Sequence, residues 1–165
     1  MKESAAERAT AMRVRITVTG RVQGVGFRPT IYRAMTQRGC GGTVRNTPRG
    51  VEIEVEGEPD TIDEVVQNFR DLVPDRARVD ELEWEELEPT GEADFSIDRS
   101  SSGGDSLLPV PPDMAICPDC WNELHGGGTR RSDYPFNTCA ACGPRFSIAR
   151  EVPFDRENSA MDDFP

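Results

Sequence analysis

Between Arg13 and Ile97 the spacing of apolar residues switches between strand-like and helix-like periods in an order that leaves few folds open. Arg13 to Thr19 alternates, with Val14, Ile16 and Val18 on one side, as a half-buried strand does. Phe27 to Arg38 carries Phe27, Ile31, Ala34 and Met35 near one helical face, tolerates Pro29 in its first turn and ends at Gly39. Thr43 to Asn46 reads as a short strand, the 46–50 stretch as a turn, and Val51 to Glu56 as the second arm of a hairpin with three outward glutamates. A second helix starts at Pro59, carries the stripe Ile62, Val65, Val66, Phe69 and Val73, and is stopped by Pro74. Leu82 with Trp84 suggests a fourth strand, and Phe95 with Ile97 a short fifth. The order β-α-β-β-α-β is the split β-α-β plan of a ferredoxin-like α+β sandwich. It predicts an antiparallel sheet with two helices on one face.

Between the first strand and the first helix lies Gly20-Arg-Val-Gln-Gly-Val-Gly-Phe-Arg28. Its glycines allow a tight turn, and successive exposed N–H groups leading into a helix N-terminus make an anion site. Val22, Gln23, Gly24, Val25, Gly26 and Phe27 would cradle a phosphate, and Arg28 would grip it with its fork of donors. The loop is not a P-loop, which needs Lys-Ser/Thr after its last glycine. Nor is it the dinucleotide fingerprint, because Pro29 stands where a third Gly or Ala belongs. The plainer alternative is a structural glycine turn beside a solvated arginine.

The bulk numbers narrow the function. The chain has 165 residues and a formal charge of −11, which disfavours general binding to nucleic acid or to anionic membranes. No apolar run approaches the length of a membrane span, and the N-terminus lacks a secretory h-region, which points to a cytoplasmic protein.

Of five cysteines, four form two close pairs, Cys117-Pro-Asp-Cys120 and Cys139-Ala-Ala-Cys142. Two tight turns with two thiolates each complete a tetrahedron, and this spacing indicates a Zn2+ site. With all four positions filled by thiolate, the metal is expected to be structural. Cys40 reads as a small semi-buried thiol. His125, in a Gly-rich stretch between the pairs, reads as solvent-exposed.

A bound phosphate still needs a nucleophile, and there is no Ser/His/Asp set near the loop. The useful polar neighbour is Asn46, at the end of the strand that follows the first helix. Its neutral amide can orient a water without being a base. That suits a substrate with a good leaving group, such as a carboxylic–phosphoric anhydride. An ordinary turn residue before Pro48 is the competing reading of Asn46.

The loop, together with Val44-Arg45-Asn46, resembles the acylphosphatase signature. The resemblance implies hydrolysis of an acyl phosphate, with Arg28 and the loop amides on the phosphate and Asn46 placing the water. It extends through the cysteine pairs, Gly143-Pro-Arg-Phe-Ser-Ile148, Pro153-Phe-Asp-Arg156 and Met161-Asp-Asp-Phe-Pro165. Together these are similar to the N-terminal part of the HypF family, carbamoyltransferases of NiFe-hydrogenase maturation. The resemblance then implies carbamoyl phosphate as the substrate and a HypE-type protein as partner. It also implies a second pair of Cys-x-x-Cys motifs and adenylation and transfer domains that this sequence does not contain. The expected organisation is a disordered tail over 1–12, an acylphosphatase-like domain over 13–99, a linker over 100–112 and an incomplete zinc-finger segment over 113–165. Two further readings stay open: an RNA-binding module, and a docking or binding module that keeps the zinc site but has no catalysis.

Overall fold

The computed structural model describes residues 11–100 and 115–135, with positions 137, 139, 142, 148, 150, 156–160 and 162–163 beyond them. The tail up to residue 10, the linker from residue 101 and the motif stretches 143–147 and 153–155 lie outside the described residues. The elements are β1 (Met12–Arg21), α1 (Phe27–Gln37), β2 (Gly41–Thr47), β3 (Gly50–Gly57), α2 (Pro59–Gln67), β4 (Arg78–Leu87), β5 (Phe95–Ile97) and α3 (Pro118–His125). The sheet order is β4-β1-β3-β2-β5, the split β-α-β arrangement.

The alternation read from β1 and β3 sets the register. Val14, Ile16 and Val18 lie opposite Val55, Ile53 and Val51. Val44 of β2 lies opposite Ile53 on the same face. All seven are buried, and this face carries α1 and α2. Phe27, Ile31 and Met35 of α1 and Ile62 and Val65 of α2 close the core. Each fully buried side chain of this kind contributes about 1.5–3 kcal/mol. Gly39 and Cys40 donate back to the Thr36 and Met35 carbonyls, both at 3.1 Å, which ends α1 where its glycine predicts.

Two elements depart from the expected pattern. The helix expected to run from Pro59 to Pro74 stops at Gln67. Asn68 is the C-cap: its backbone N–H makes the last i→i−4 bond, to the Glu64 carbonyl at 3.0 Å, and its side-chain amide shares that carbonyl at 3.2 Å. The Asp71 N–H then bonds back only three residues, to the Asn68 carbonyl at 2.9 Å. A 3-10 turn over Phe69–Asp71 follows, and Phe69 turns inward, 6.4 Å from the Phe27 ring. The sheet is also not wholly antiparallel, since β5 runs parallel to β2. The reason is the 88–94 stretch, which crosses beneath the sheet from the β4 edge to the opposite edge.

That crossing explains why Glu56 is not on a wet face. Alternation alone puts all three glutamates of β3 outward, yet Glu56 is only 3% exposed. It accepts from the Thr90 N–H (2.8 Å), the Thr90 hydroxyl (3.1 Å) and the Gly91 N–H (2.7 Å), and so anchors the crossing strap. Burial alone would push its carboxyl up. The bonds from Thr90 and Gly91 and the charge of Arg13 outweigh that and hold it below the usual value near 4.5. A carboxyl whose folded value is depressed contributes stability above its unfolded value and loses it as pH falls through the folded one. Glu56→Gln places a donor against donors and is expected to cost about 2–3 kcal/mol. Thermal melts at pH 7 should read roughly 10 to 20 °C lower. The gap to the native protein should narrow as pH falls from about 4.5 through the lower folded value of Glu56, where the native carboxyl itself becomes protonated.

Glu54, on the same face of the sheet, accepts from Arg13 and from Arg15 at 2.8 Å. The described residues contain no helix long and apolar enough to cross a membrane.

Candidate functional site

The loop between β1 and α1 turns its side chains in and leaves its backbone out. Val22, Val25 and Phe27 are at most 2% exposed and belong to the main core. The backbone reaches the helix through two left-handed residues, Gly24 (φ 70°) and Gly26 (φ 77°), a conformation that costs any residue with a Cβ. Gly26 is the N-cap of α1 and has no side chain with which to cap it. The first N–H groups of a helix have no intrahelical acceptor. Among the described residues, none of the N–H groups from Val22 to Phe27 donates to a protein acceptor. Such a row of N–H groups before a helix has the form of an anion nest.

Arg28 stands half-buried in the first turn of α1, and its Nη1 donates to the Ser100 hydroxyl at 3.3 Å. Arg21, at the end of β1, donates from Nε to the Arg76 carbonyl at 3.1 Å. Arg49 is exposed at the tip of the β2–β3 hairpin. This end of the sheet therefore gathers arginines in a chain whose net charge is −11.

Asn46 is 2% exposed and lies in the last core-facing row of the sheet. It is opposite Val51, which is opposite Val18, two residues before the loop begins. Val18 and Asn46 are thus two strands apart, about 10 Å, at the same end. The structure brings together the loop, Arg28 and Asn46, as the split β-α-β plan requires.

The side chain of Gln23 has a role that nothing in the sequence marks. It is 4% exposed, and its Nε2 donates to the carbonyls of Thr47 (2.8 Å) and Gly50 (2.7 Å) at the hairpin turn beside Asn46. Only its backbone N–H remains available to the nest.

The second cluster is the four cysteines. The Sγ atoms of Cys117, Cys120, Cys139 and Cys142 all lie within 4.8 Å of one another. Three of the separations are 3.6, 3.8 and 3.8 Å. Thiolates at about 2.3 Å from a tetrahedral ion lie about 3.8 Å apart, so the donor set fits a tetrahedral thiophilic metal such as zinc. Cys117 caps α3, its Sγ accepting from the Cys120 N–H at 3.5 Å. Burial first, and then the neighbouring thiols, push the Cys120 thiol well up. Around them, buried Asn137 donates to the Cys120 carbonyl (3.1 Å) and to Glu123 (3.2 Å). Glu123 also accepts from Arg131 at 3.0 Å. The bonds from Asn137 and then Arg131 hold the Glu123 carboxyl below its usual range. Only their position between the cysteine pairs marks these three residues in the sequence. Arg76 donates to the Ala115 carbonyl at 3.3 Å, just ahead of this cluster.

His125 is exposed as expected, although it ends α3 and does not lie in a loop, with its ring 4.2 Å from Trp121. Cys40 is fully buried, which raises its thiol pKa, and it has no place in either cluster.

Comparison with known proteins agrees with both clusters. The acylphosphatase family model matches residues 14–97, and the HypF finger matches residues 116–149. Carbamoyltransferase HypF2 of Cupriavidus necator is 40% identical over 156 residues, covering 93% of this chain and 19% of that protein. An acylphosphatase of Anaeromyxobacter dehalogenans is 44% identical over 85 residues, 51% of this chain and 90% of that one. A crystal structure of full-length HypF, in a phosphate- and nucleotide-bound form, superposes with a TM-score of 0.82 at 38% identity, over 94% of this chain and 20% of that one. The chain spans about one fifth of the length of these HypF relatives. Its first domain belongs to the acylphosphatase family, and with the HypF finger behind it the chain corresponds to the N-terminal part of the HypF carbamoyltransferases.

Proposed function

We propose that the β1–α1 loop and Asn46 hydrolyse an acyl phosphate, and that the substrate is carbamoyl phosphate. The observation that carries this is the meeting, at one end of the sheet, of the unpartnered loop N–H groups, Arg28 and the buried amide of Asn46. The N–H groups from Val22 to Phe27 and the guanidinium of Arg28 hold the phosphate oxygens and stabilise the charge that gathers on them. Asn46 orients a water in line with phosphorus. The water oxygen forms the new P–O bond, and the bond from phosphorus to the carbamoyl oxygen breaks. Carbamoyl phosphate dianion and water become carbamate and dihydrogen phosphate, with atoms and charge balanced. Carbamate leaves as a stable anion, so no general acid is needed, in keeping with a loop that has no histidine near it. The family of the first domain and the HypF relatives support this choice of substrate. So does the phosphate-bound form of the HypF crystal structure.

The four cysteines hold a structural Zn2+. The whole relatives are named as carbamoyltransferases. In this reading the chain supplies the hydrolytic first step of that process, with the HypE-type protein that the family resemblance implies as the later acceptor. A second reading, a docking module without catalysis, draws on Trp121, which is 54% exposed on α3.

Phosphate release from carbamoyl phosphate separates the two. The native chain should turn over, and Asn46→Ala should slow kcat by roughly two to three orders of magnitude, as loss of one preorganised polar group does. Equal rates in the native protein and Asn46→Ala, or no turnover by folded protein, would give the docking reading the lead.

A further inference from the structure

We propose that Gln23 is a positioning residue: its side chain ties the phosphate loop to the β2–β3 turn and so sets where Asn46 stands. The proposal rests on the hydrolytic reading above. A primary amide has two N–H donors, and Gln23 gives both to backbone carbonyls on either side of the turn, Thr47 at 2.8 Å and Gly50 at 2.7 Å. Asn46 is the residue immediately before Thr47. The turn is further closed by the Thr47 hydroxyl, which accepts from the Gly50 N–H at 3.2 Å. It is also pressed against β1, since a Cβ on Gly50 would stand 2.0 Å from the Val18 carbonyl oxygen. Among the described hydrogen bonds, the two from Gln23 tie the hairpin end that bears Asn46 to the loop.

The arrangement is not the one that packing alone would choose. With both donors spent, Gln23 Oε1 is buried and has no hydrogen-bond partner among the described residues. A buried acceptor without a donor is destabilising, and such exceptions to polar satisfaction call for a reason. Methionine would fill the same space without the orphaned oxygen, but would take the side-chain donor away from the Thr47 and Gly50 carbonyls. A glutamine keeps the loop and the turn in a fixed relation, which is what in-line attack demands, because a displacement near 1 Å can cost about a hundredfold in rate.

The test is a double-mutant cycle of Gln23→Met and Asn46→Ala, read by carbamoyl phosphate hydrolysis, inorganic phosphate binding and the NMR signals of the Asn46 side-chain amide. Gln23→Met should lower kcat roughly tenfold to a hundredfold. Phosphate affinity should stay within about threefold, because Arg28 and the loop N–H groups are untouched. In the Asn46→Ala background the same change should alter kcat less than about threefold, since Gln23 acts through Asn46. The Asn46 amide pair should shift in Gln23→Met protein without substrate. Equal losses of kcat in both backgrounds, a parallel loss of phosphate affinity, or an unmoved Asn46 amide would overturn the proposal. If the native chain proves inactive, the hydrolytic reading fails, while the amide shift still decides whether the tie exists. Should Gln23→Met fold poorly, Gln23→Leu serves in its place, because it too removes both donors without adding charge beside the phosphate loop.

Discussion

Arg28→Ala is expected to lower kcat/KM for carbamoyl phosphate by about a thousandfold or more, with the domain still folded. The guanidinium is the one side-chain cation at the start of α1, beside N–H groups that carry only partial charge. Arginine aimed at a transferring phosphoryl group is worth about 10³–10⁵ in rate. A thousandfold corresponds to about 4 kcal/mol of transition-state stabilisation. Stability should change by about 1 kcal/mol at most, because the core side of α1 is Phe27, Ile31 and Met35 and Arg28 is not among the core residues. Arg28→Lys keeps the charge but not the two-pronged geometry, and its rate should fall between the two. The measurement is a rate series with circular dichroism on the same samples. Native-like rates in folded Arg28→Ala protein would refute the assignment of the phosphate to this loop.

Much of this site is legible in the sequence. The alternation of Val14, Ile16 and Val18, the helical spacing of Ile31 and Met35 and the glycines between them place the loop at a strand-to-helix junction with no need for tertiary information. Asn46 can be placed because strand parity and the hairpin turn fix which end of β2 it occupies. The features that cannot be read this way are those created by crossing segments. The burial of Glu56 depends on a strap 34 residues further along the chain, and the direction of β5 depends on where that strap emerges. The early end of α2 at Gln67 is a switch to i→i−3 bonding from Asn68 onward, which an apolar stripe running on to Val73 conceals. Gln23 is the instructive case. Its backbone belongs to the loop, as the glycine spacing implies, but its side chain faces the opposite way, and only the fold brings Thr47 and Gly50 within its reach.

The helix α3 is hidden in the sequence for a different reason. Over eight residues it has Pro118 at its start and a cysteine for a cap, and it rests on thiols, not on an apolar stripe. This leads to the second large effect. The core of the first domain holds seventeen buried residues from Val14 to Phe95. The cluster at α3 is made of Cys117, Cys120 and Cys142, with Ile116 and Cys139 beside them. No apolar core underlies the second cluster among the described residues, so on the reading that the four cysteines hold a metal, that metal supplies what burial does not. Structural zinc in small modules contributes on the order of 10–16 kcal/mol at neutral pH. Stripping the metal with a strong chelator should therefore unfold α3 and its surroundings. Tyr134 and Trp121 fluorescence and proteolysis after Arg130 or Arg131 should report the loss, and Cys139→Ser should reproduce it without chelator. The first domain should keep its melting transition and its phosphate release, because Ile116 and the cysteines do not belong to its core. A single cooperative transition lost on chelation would mean instead that the finger holds up the phosphate site. The contact from Arg76 to the Ala115 carbonyl, at 3.3 Å, would then be the first place to look for the coupling.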